Sequence, residues 1–430
     1  LNRSLINLRR CGSDVTANSP LAQLDRDLKA DWKSRRDRVL SQHAADLDDV
    51  DWQCPRLPES QSFYALPEQL LLAYERHREE SELGHVFRIA NSLHDRLDAI
   101  VVLGPPNAIL SVQAITAACC DPYHNEMSRA DRGSKPRIYF ADTEMDNDFI
   151  QSLVWRLARN GYGDVRAEQR WGIVAIDDQQ SRSQVIPLLR FLAGQMPTWD
   201  DAVSGENASE IPAPITIITA QPDDWATSIG GFGPPFELLH SNSLLSGTMG
   251  ALAPASLLPA AFLGLDVIQL LVGAAAINKN FAEGEWNENL SLQLAGLIEQ
   301  RQLDCIGWSN SFDGLLRWWI KAIETATEAS ATWARSGAIN PTRSANRPAV
   351  TMHWLAEPPR TDPVQLWDTS GDLISVEQLK RQRFESVVSA SATPTCDQIE
   401  LVLPGIDTHP IGQVMQLGLI LAELARERSR

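Results

Sequence analysis

Two adjacent carboxylates, Asp177 and Asp178, stand just ahead of the triplet Ser181-Arg182-Ser183, and the two groups bear on anion chemistry from opposite sides. A guanidinium flanked by hydroxyls has the donors to hold a phosphoryl group. Paired carboxylates beside it repel that group directly. The plainer reading is a helix N-terminus whose acidic first turn suits the helix dipole. A second stretch, Gly104-Pro105-Pro106-Asn107-Ala108, begins with a glycine that admits close approach of a ligand, but its prolines carry no N–H to offer an anion. The eight histidines are scattered without the spacing of metal ligands, so neither a metal nor another cofactor is expected. The six cysteines include no Cys-x-x-Cys pair, and adjacent Cys119 and Cys120 read as small buried hydrophobes on a helix.

These stretches sit at the ends of strands. A strand-then-helix alternation begins near Ala99, with apolar runs at Ala99–Leu103, Arg137–Phe140, Gly172–Ile176 and Ile215–Thr219. Such units predict an α/β fold, a parallel sheet covered by helices on both faces. Ligands of these sheets bind just beyond the carboxyl ends of the strands. Here those ends are Gly104–Ala108, Asp142–Thr143, Asp177–Ser183 and Ala220–Pro222. A second α/β region is expected to follow, with strands at Phe236–Leu239, Asp304–Trp308, Val350–Leu355 and Gln398–Leu403. Its helices are expected over 254–275, 289–302 and 312–335, with a closing helix over 411–428. The domains expected are an N-terminal arm with helices over 1–95, packing on the second domain, then α/β domains over 96–232 and 233–430.

Composition narrows the partners. The chain of 430 residues suits two domains of ordinary size. Lys and Arg number 38 against 55 Asp and Glu, a net charge of −17, which disfavours nucleic acid and anionic membrane surfaces as partners. Leu1 to Arg10 is polar and basic with no apolar core behind it, so no secretory leader is expected, and the scattered cysteines fit a reducing cytoplasm. Ala251 to Ile277 carries one charge, Asp266, over a length that would span a bilayer. Pro254, Pro259 and Gly264 interrupt it, and it reads as buried helix in a soluble protein.

One run carries a family likeness. Ser246-Gly247-Thr248, followed by Leu257-Leu258-Pro259-Ala260 and Gly264-Leu265-Asp266, resembles the hallmark of the glucose-6-phosphate isomerases, a Gly-Gly-Arg leading into a Leu-Leu-Pro-Ala helix that ends Gly-x-Asp. Asp407-Thr408-His409-Pro410-Ile411-Gly412-Gln413 is similar to the family's Phe-Asp-Gln-x-Gly-Val-Glu segment. The resemblance implies two sugar-isomerase-type domains, each a parallel sheet flanked by helices, with helical extensions at both ends. It also implies a homodimer binding a sugar phosphate, for which tryptophans such as Trp318, Trp319 and Trp333 are interface candidates, with ordinary core packing as the plainer reading.

The same resemblance assigns roles to positions, and the residues there depart from it. Thr248 stands for the hallmark arginine beside Gly247. Ala108 stands for the serine of the first phosphate loop, leaving Asn107 as its polar side chain. In the second loop Asp177 and Asp178 replace Ser and Lys, and Ser181, Arg182 and Ser183 are the remaining candidate ligand groups. The family's glutamine and proton-moving glutamate fall at Lys321 and Thr325; Glu324 is one residue off, about 100° around a helix. Lys321 and Glu324 also read as a pair on a solvated face. The ring-opening histidine has no counterpart in Arg347-Pro348-Ala349-Val350, and His353 lies beyond it as a catalytic or structural residue. His409 is the titratable group of the closing loop, whose lysine falls at Met415 or Gln416. Isomerisation needs a base of pKa about 6–7 beside a stabiliser for the enediolate. The reading is a non-catalytic or altered-function relative. The alternatives are an active isomerase using Glu324, His353 or His409 with Arg182, and an enzyme whose acidic Asp177–Asp178 loop takes a neutral or cationic sugar.

Overall fold

The computed structural model describes residues 4–11, 26–48, 62–158, 170–178, 180–196, 213–222, 225, 235–242, 245, 247–298, 301–324, 331–335, 349–391 and 396–429. Strand β1 (Asn7–Arg10) and helix α1 (Arg26–Asp48) open the chain. Then come α2 (Leu66–His77), α3 (Glu82–Leu93), β2 (Leu97–Gly104), α4 (Pro106–Cys119), β3 (Arg137–Asp142) and α5 (Asn147–Leu157). They are followed by β4 (Arg170–Ile176), α6 (Arg182–Ala193), β5 (Ile215–Thr219), β6 (Phe236–His240), α7 (Pro254–Phe262), α8 (Val267–Glu283) and α9 (Leu290–Ile298). The last stretch holds β7 (Gln302–Gly307), α10 (Asp313–Glu324), β8 (Ala331–Arg335), β9 (Ala349–Ala356), β10 (Gln365–Trp367), β11 (Leu373–Ser375), α11 (Val376–Ser391), β12 (Cys396–Leu403) and α12 (Thr408–Ser429). The chain divides into two compact units, one of 45–116 and 120–271, the other of 1–44, 117–119 and 272–430.

In the first unit the strands run in the order β3-β2-β4-β5-β6, all parallel. Every residue of β2, β4 and β5 is buried, as strands covered on both faces must be, and their Ile and Val side chains suit that pleated interior. The chain leaves β2 toward β3 on one side and returns to β4 on the other. That reversal leaves a crevice beyond the carboxyl ends of β2 and β4. The opposite end of β2 is tied down by Asp98, whose carboxylate accepts from Arg132 at 2.8 Å, from Arg129 at 3.5 Å and from Arg137. Ser81 caps α3, accepting from the Gly84 N–H at 3.0 Å, and Asp146 caps α5, accepting from the Phe149 N–H at 2.8 Å.

In the second unit the order is β1-β12-β9-β7-β8, with β1 antiparallel and the rest parallel. The run β8-β7-β9-β12 therefore repeats the β3-β2-β4-β5 order of the first sheet. Only the fifth strand differs: β6 in one sheet, the N-terminal β1 in the other. Against this second sheet α10 buries Leu315, Leu316, Trp318 and Trp319, and α12 meets it so closely that a Cβ on Gly418 would lie 2.6 Å from the Trp319 ring. Trp318 and Trp319 are fully buried in this core and present no face to a partner.

Three expectations on elements change. Residues 236–240 pair with β5 and close the first sheet, although they were expected in the second region. The helix expected over 254–275 is two helices, because Gly264 adopts φ +69° and Asp266 then starts α8 by accepting from the Gln269 N–H at 3.0 Å. The helix expected over 312–335 ends at Glu324, and Ala331–Arg335, with Thr332 and Trp333 at its centre, pairs in parallel with β7. Among the described residues no helix is long and apolar enough to cross a membrane.

Candidate functional site

A cavity of about 160 Å³ opens at the carboxyl edge of the first sheet. Pro105 after β2, Asp177 and Asp178 after β4, and Ser241 and Asn242 after β6 stand in its wall. The turn at 247–250 and the α7 residue Ser256 also line it, with Gln180 beside the carboxylates.

Asp177 organises one side of this cavity. Its side chain is 1% exposed, and its Oδ2 accepts from Arg182 Nε at 3.1 Å, Arg182 Nη2 at 2.7 Å and Thr219 Oγ1 at 2.8 Å. Trp225 Nε1 donates to the same oxygen, and the Arg182 guanidinium lies over the Trp225 ring at 5.7 Å from its centroid. Asp178 takes the donors of Ser181: its Oδ1 accepts from the Ser181 N–H at 2.7 Å and from the Ser181 hydroxyl. The carboxylates thus precede the helix, which begins at Arg182, and do not form its first turn. Ser183 is exposed. The groups that would grip a phosphoryl anion are held by the protein's own carboxylates.

The β2 loop is equally occupied. The carbonyl of Pro105 accepts from the N–H groups of Ala108 and Ile109 at 3.0 and 3.1 Å, and Pro106 has no N–H. Gly104 serves packing, since a Cβ there would lie 3.0 Å from the Ile176 Cβ and 3.1 Å from its carbonyl oxygen. Asn107 is exposed but faces Gly247, whose φ is +59° and whose added Cβ would meet the Asn107 side chain at 3.5 Å. Thr248 is buried behind that turn.

The other sequence candidates belong to the second unit. Glu324 is exposed at the end of α10 and Lys321 half-buried a turn before it, with no ion pair between them among the described residues. His353, fully buried in β9, accepts from Trp308 Nε1 at its Nδ1 (3.0 Å) and donates from Nε2 to Gln398 Oε1 (2.7 Å). Phe384 packs edge-on against its ring, 5.1 Å between centroids. Both ring nitrogens are used, which makes His353 a buried packing and hydrogen-bonding residue. His409 is buried in the first turn of α12, its Nδ1 accepting from Gln413 Nε2 at 3.1 Å. Gln413 in turn holds the N-terminal arm, accepting from the Ile6 N–H at 2.7 Å and donating to the Ser4 carbonyl at 3.2 Å. Among the described residues no group of His, Cys, Asp and Glu could hold a metal ion.

Of the residues singled out from sequence, Gly247 lines the cavity, while Ser181 and Arg182 brace the two carboxylates that do. Ser241, Asn242 and Ser256 were missed. The signal for the first two was present: they follow a strand, but a strand assigned to the wrong sheet.

Known structures share this architecture. A hypothetical protein from Thermus thermophilus superposes with a TM-score of 0.69 at 16% identity, over 94% of this chain and 90% of that one. A glucose-6-phosphate isomerase from Chlamydia trachomatis gives 0.63 at 15% identity, over 93% and 81%. The fold is that of the sugar isomerases. A tagatose-6-phosphate ketose/aldose isomerase from Escherichia coli extends the likeness, with a TM-score of 0.50 at 10% identity over 86% of this chain and 92% of that one. No protein-family model and no curated protein sequence matches the chain. At these identities the sugar-isomerase likeness is one of fold.

Proposed function

We propose that this chain is a sugar-isomerase-fold protein that binds a small sugar derivative at the carboxyl edge of its first sheet without interconverting aldose and ketose phosphates. One observation carries the reading: Asp177 and Asp178 act as built-in anions, holding the guanidinium of Arg182 and the hydroxyl and N–H of Ser181. A phosphoryl group entering the cavity meets two carboxylates and, among the described residues of the wall, no cation. The proton shuttle lacks support as well. His353 has both ring nitrogens engaged in the core, and Glu324 lies exposed in solvent at the end of α10.

The test is a coupled isomerase assay with fructose 6-phosphate on the full chain. No turnover above the uncatalysed rate is expected. Turnover that Glu324→Gln abolishes would replace this reading with that of an active isomerase.

A further inference from the structure

The most exposed large apolar side chain among the described residues is Trp367, 74% exposed, in the short hairpin of β10 and β11. It stands directly across the hairpin from Leu373, itself 61% exposed, so the two share one face. Val364 and Leu366 beside them, and Val376 and Leu379 in the first turn of α11, are exposed as well. A two-stranded hairpin is barely stable alone in water, and one that displays a tryptophan–leucine pair to solvent lacks a covering surface. The hairpin is nonetheless firmly made. Asp368 Oδ1 accepts from the N–H groups of Ser370 and Asp372 at 2.8 and 2.9 Å, and Gly371 takes the φ of +85° that the turn requires. A groove of about 330 Å³ separates the hairpin from α11, with Leu373 and Ile374 on one side and Gln378, Arg381 and Glu385 on the other.

The charges specify what covers this face. Residues 361–375 hold three aspartates, Asp362, Asp368 and Asp372, and no Lys or Arg. Helix α11 holds Lys380, Arg381 and Arg383 against Glu377 and Glu385, a net +1 in a chain of −17. Lys380 pairs with Glu377 and Arg381 with Glu385, whereas Arg383 is exposed with no ion pair among the described residues. A foreign protein would have to match a negative hairpin and a positive helix side by side. A second copy turned about a two-fold axis does so by symmetry, its helix meeting the hairpin and its hairpin the helix. We propose that this face joins two copies of the chain, Trp367 of each entering the groove of the other and the aspartates of each hairpin lying against the other copy's α11. Trp318 and Trp319, the aromatics expected at such an interface, lie in the core, and Trp367 takes their place. The pairing is independent of what the cavity of the first unit binds.

Sedimentation equilibrium of the full chain tests it. At about 50 μM the native chain is expected to show twice the mass of one chain. Trp367→Ser, a change at an exposed side chain, should raise the dissociation constant by about tenfold or more and leave the circular dichroism unaltered. Asp372→Lys and Arg383→Glu should each weaken the pair. Mixing those two variants should restore it, because both hairpin–helix junctions of the mixed pair again join opposite charges. A native chain that stays monomeric at that concentration overturns the proposal and leaves the face to a different protein. So does a Trp367→Ser chain that pairs as tightly as the native one, or a mixture of the charge variants that pairs no better than either alone.

Discussion

The guanidinium of Arg182 meets Asp177 through both Nε and Nη2, at 3.1 and 2.7 Å from the same carboxylate oxygen, the Asp177 side chain being 1% exposed and the Arg182 side chain 17%. The consequence is structural before it is functional. This contact locks the first residue of α6 to the end of β4 and commits the arginine to an internal partner.

Removing that partner should be costly. Arg182→Gln leaves a buried carboxylate with no cation, and the loss of stability is expected to be about 3–5 kcal/mol, read by urea unfolding at neutral pH. A change below about 1 kcal/mol, the range of an exposed ion pair, would show that the contact is not the buried lock described.

Asp178 holds Ser181 by both its amide and its hydroxyl. Asp178→Ala releases those donors and removes a negative charge, so inorganic phosphate should bind more tightly, by roughly three- to tenfold. Phosphorus NMR line broadening across a titration measures this. Unchanged affinity would mean that the carboxylate does not occupy an anion position.

At the amino end of β2, Asp98 gathers Arg129, Arg132 and Arg137 and so fixes the segment between Cys120 and β3. Asp98→Ala is expected to lower stability by about 3–5 kcal/mol, since it strands buried guanidinium groups. Limited proteolysis should then cut within 121–136 faster than in the native chain. Native-like resistance in the variant would contradict this role.

Glu400 lies opposite Arg9 across the β12–β1 pair. Burial raises its carboxyl above the ordinary 4.5, and Glu357 adds to the rise while Arg9 opposes it. A raised carboxyl means the folded state holds the proton more tightly than the unfolded chain. Its stabilising contribution is therefore full below 4.5 and is lost as pH rises through the raised value. Glu400→Gln, which cannot ionise, should raise Tm relative to the native chain at pH 8 and leave it level at pH 4. A Tm lowered at pH 8 would show that the pairing with Arg9 outweighs burial.

Much of the fold was legible because parallel, doubly covered strands are written as unbroken apolar runs, as at Ala99–Leu103 and Gly172–Ile176. Edge strands carry no such mark. Residues 236–240 are mostly half-buried and Ala331–Arg335 alternates only weakly, so one went to the wrong sheet and the other into a helix. The break at Gly264 depends on a backbone angle that an apolar run hides. The site was legible as a place and as a charge conflict: the carboxyl end of β4, two carboxylates against an arginine. Its resolution was not. That Asp177 and Asp178 consume the donors of Arg182 and Ser181 depends on side-chain geometry three to five residues along the chain, which spacing alone does not specify.

The central claim is that built-in carboxylates stand where an incoming phosphoryl group would need donors, and calorimetric titration of the native chain with glucose 6-phosphate tests it most directly. The account predicts no saturable heat up to millimolar concentration. A micromolar Kd that is lost in Arg182→Gln, with the variant still folded, would contradict it.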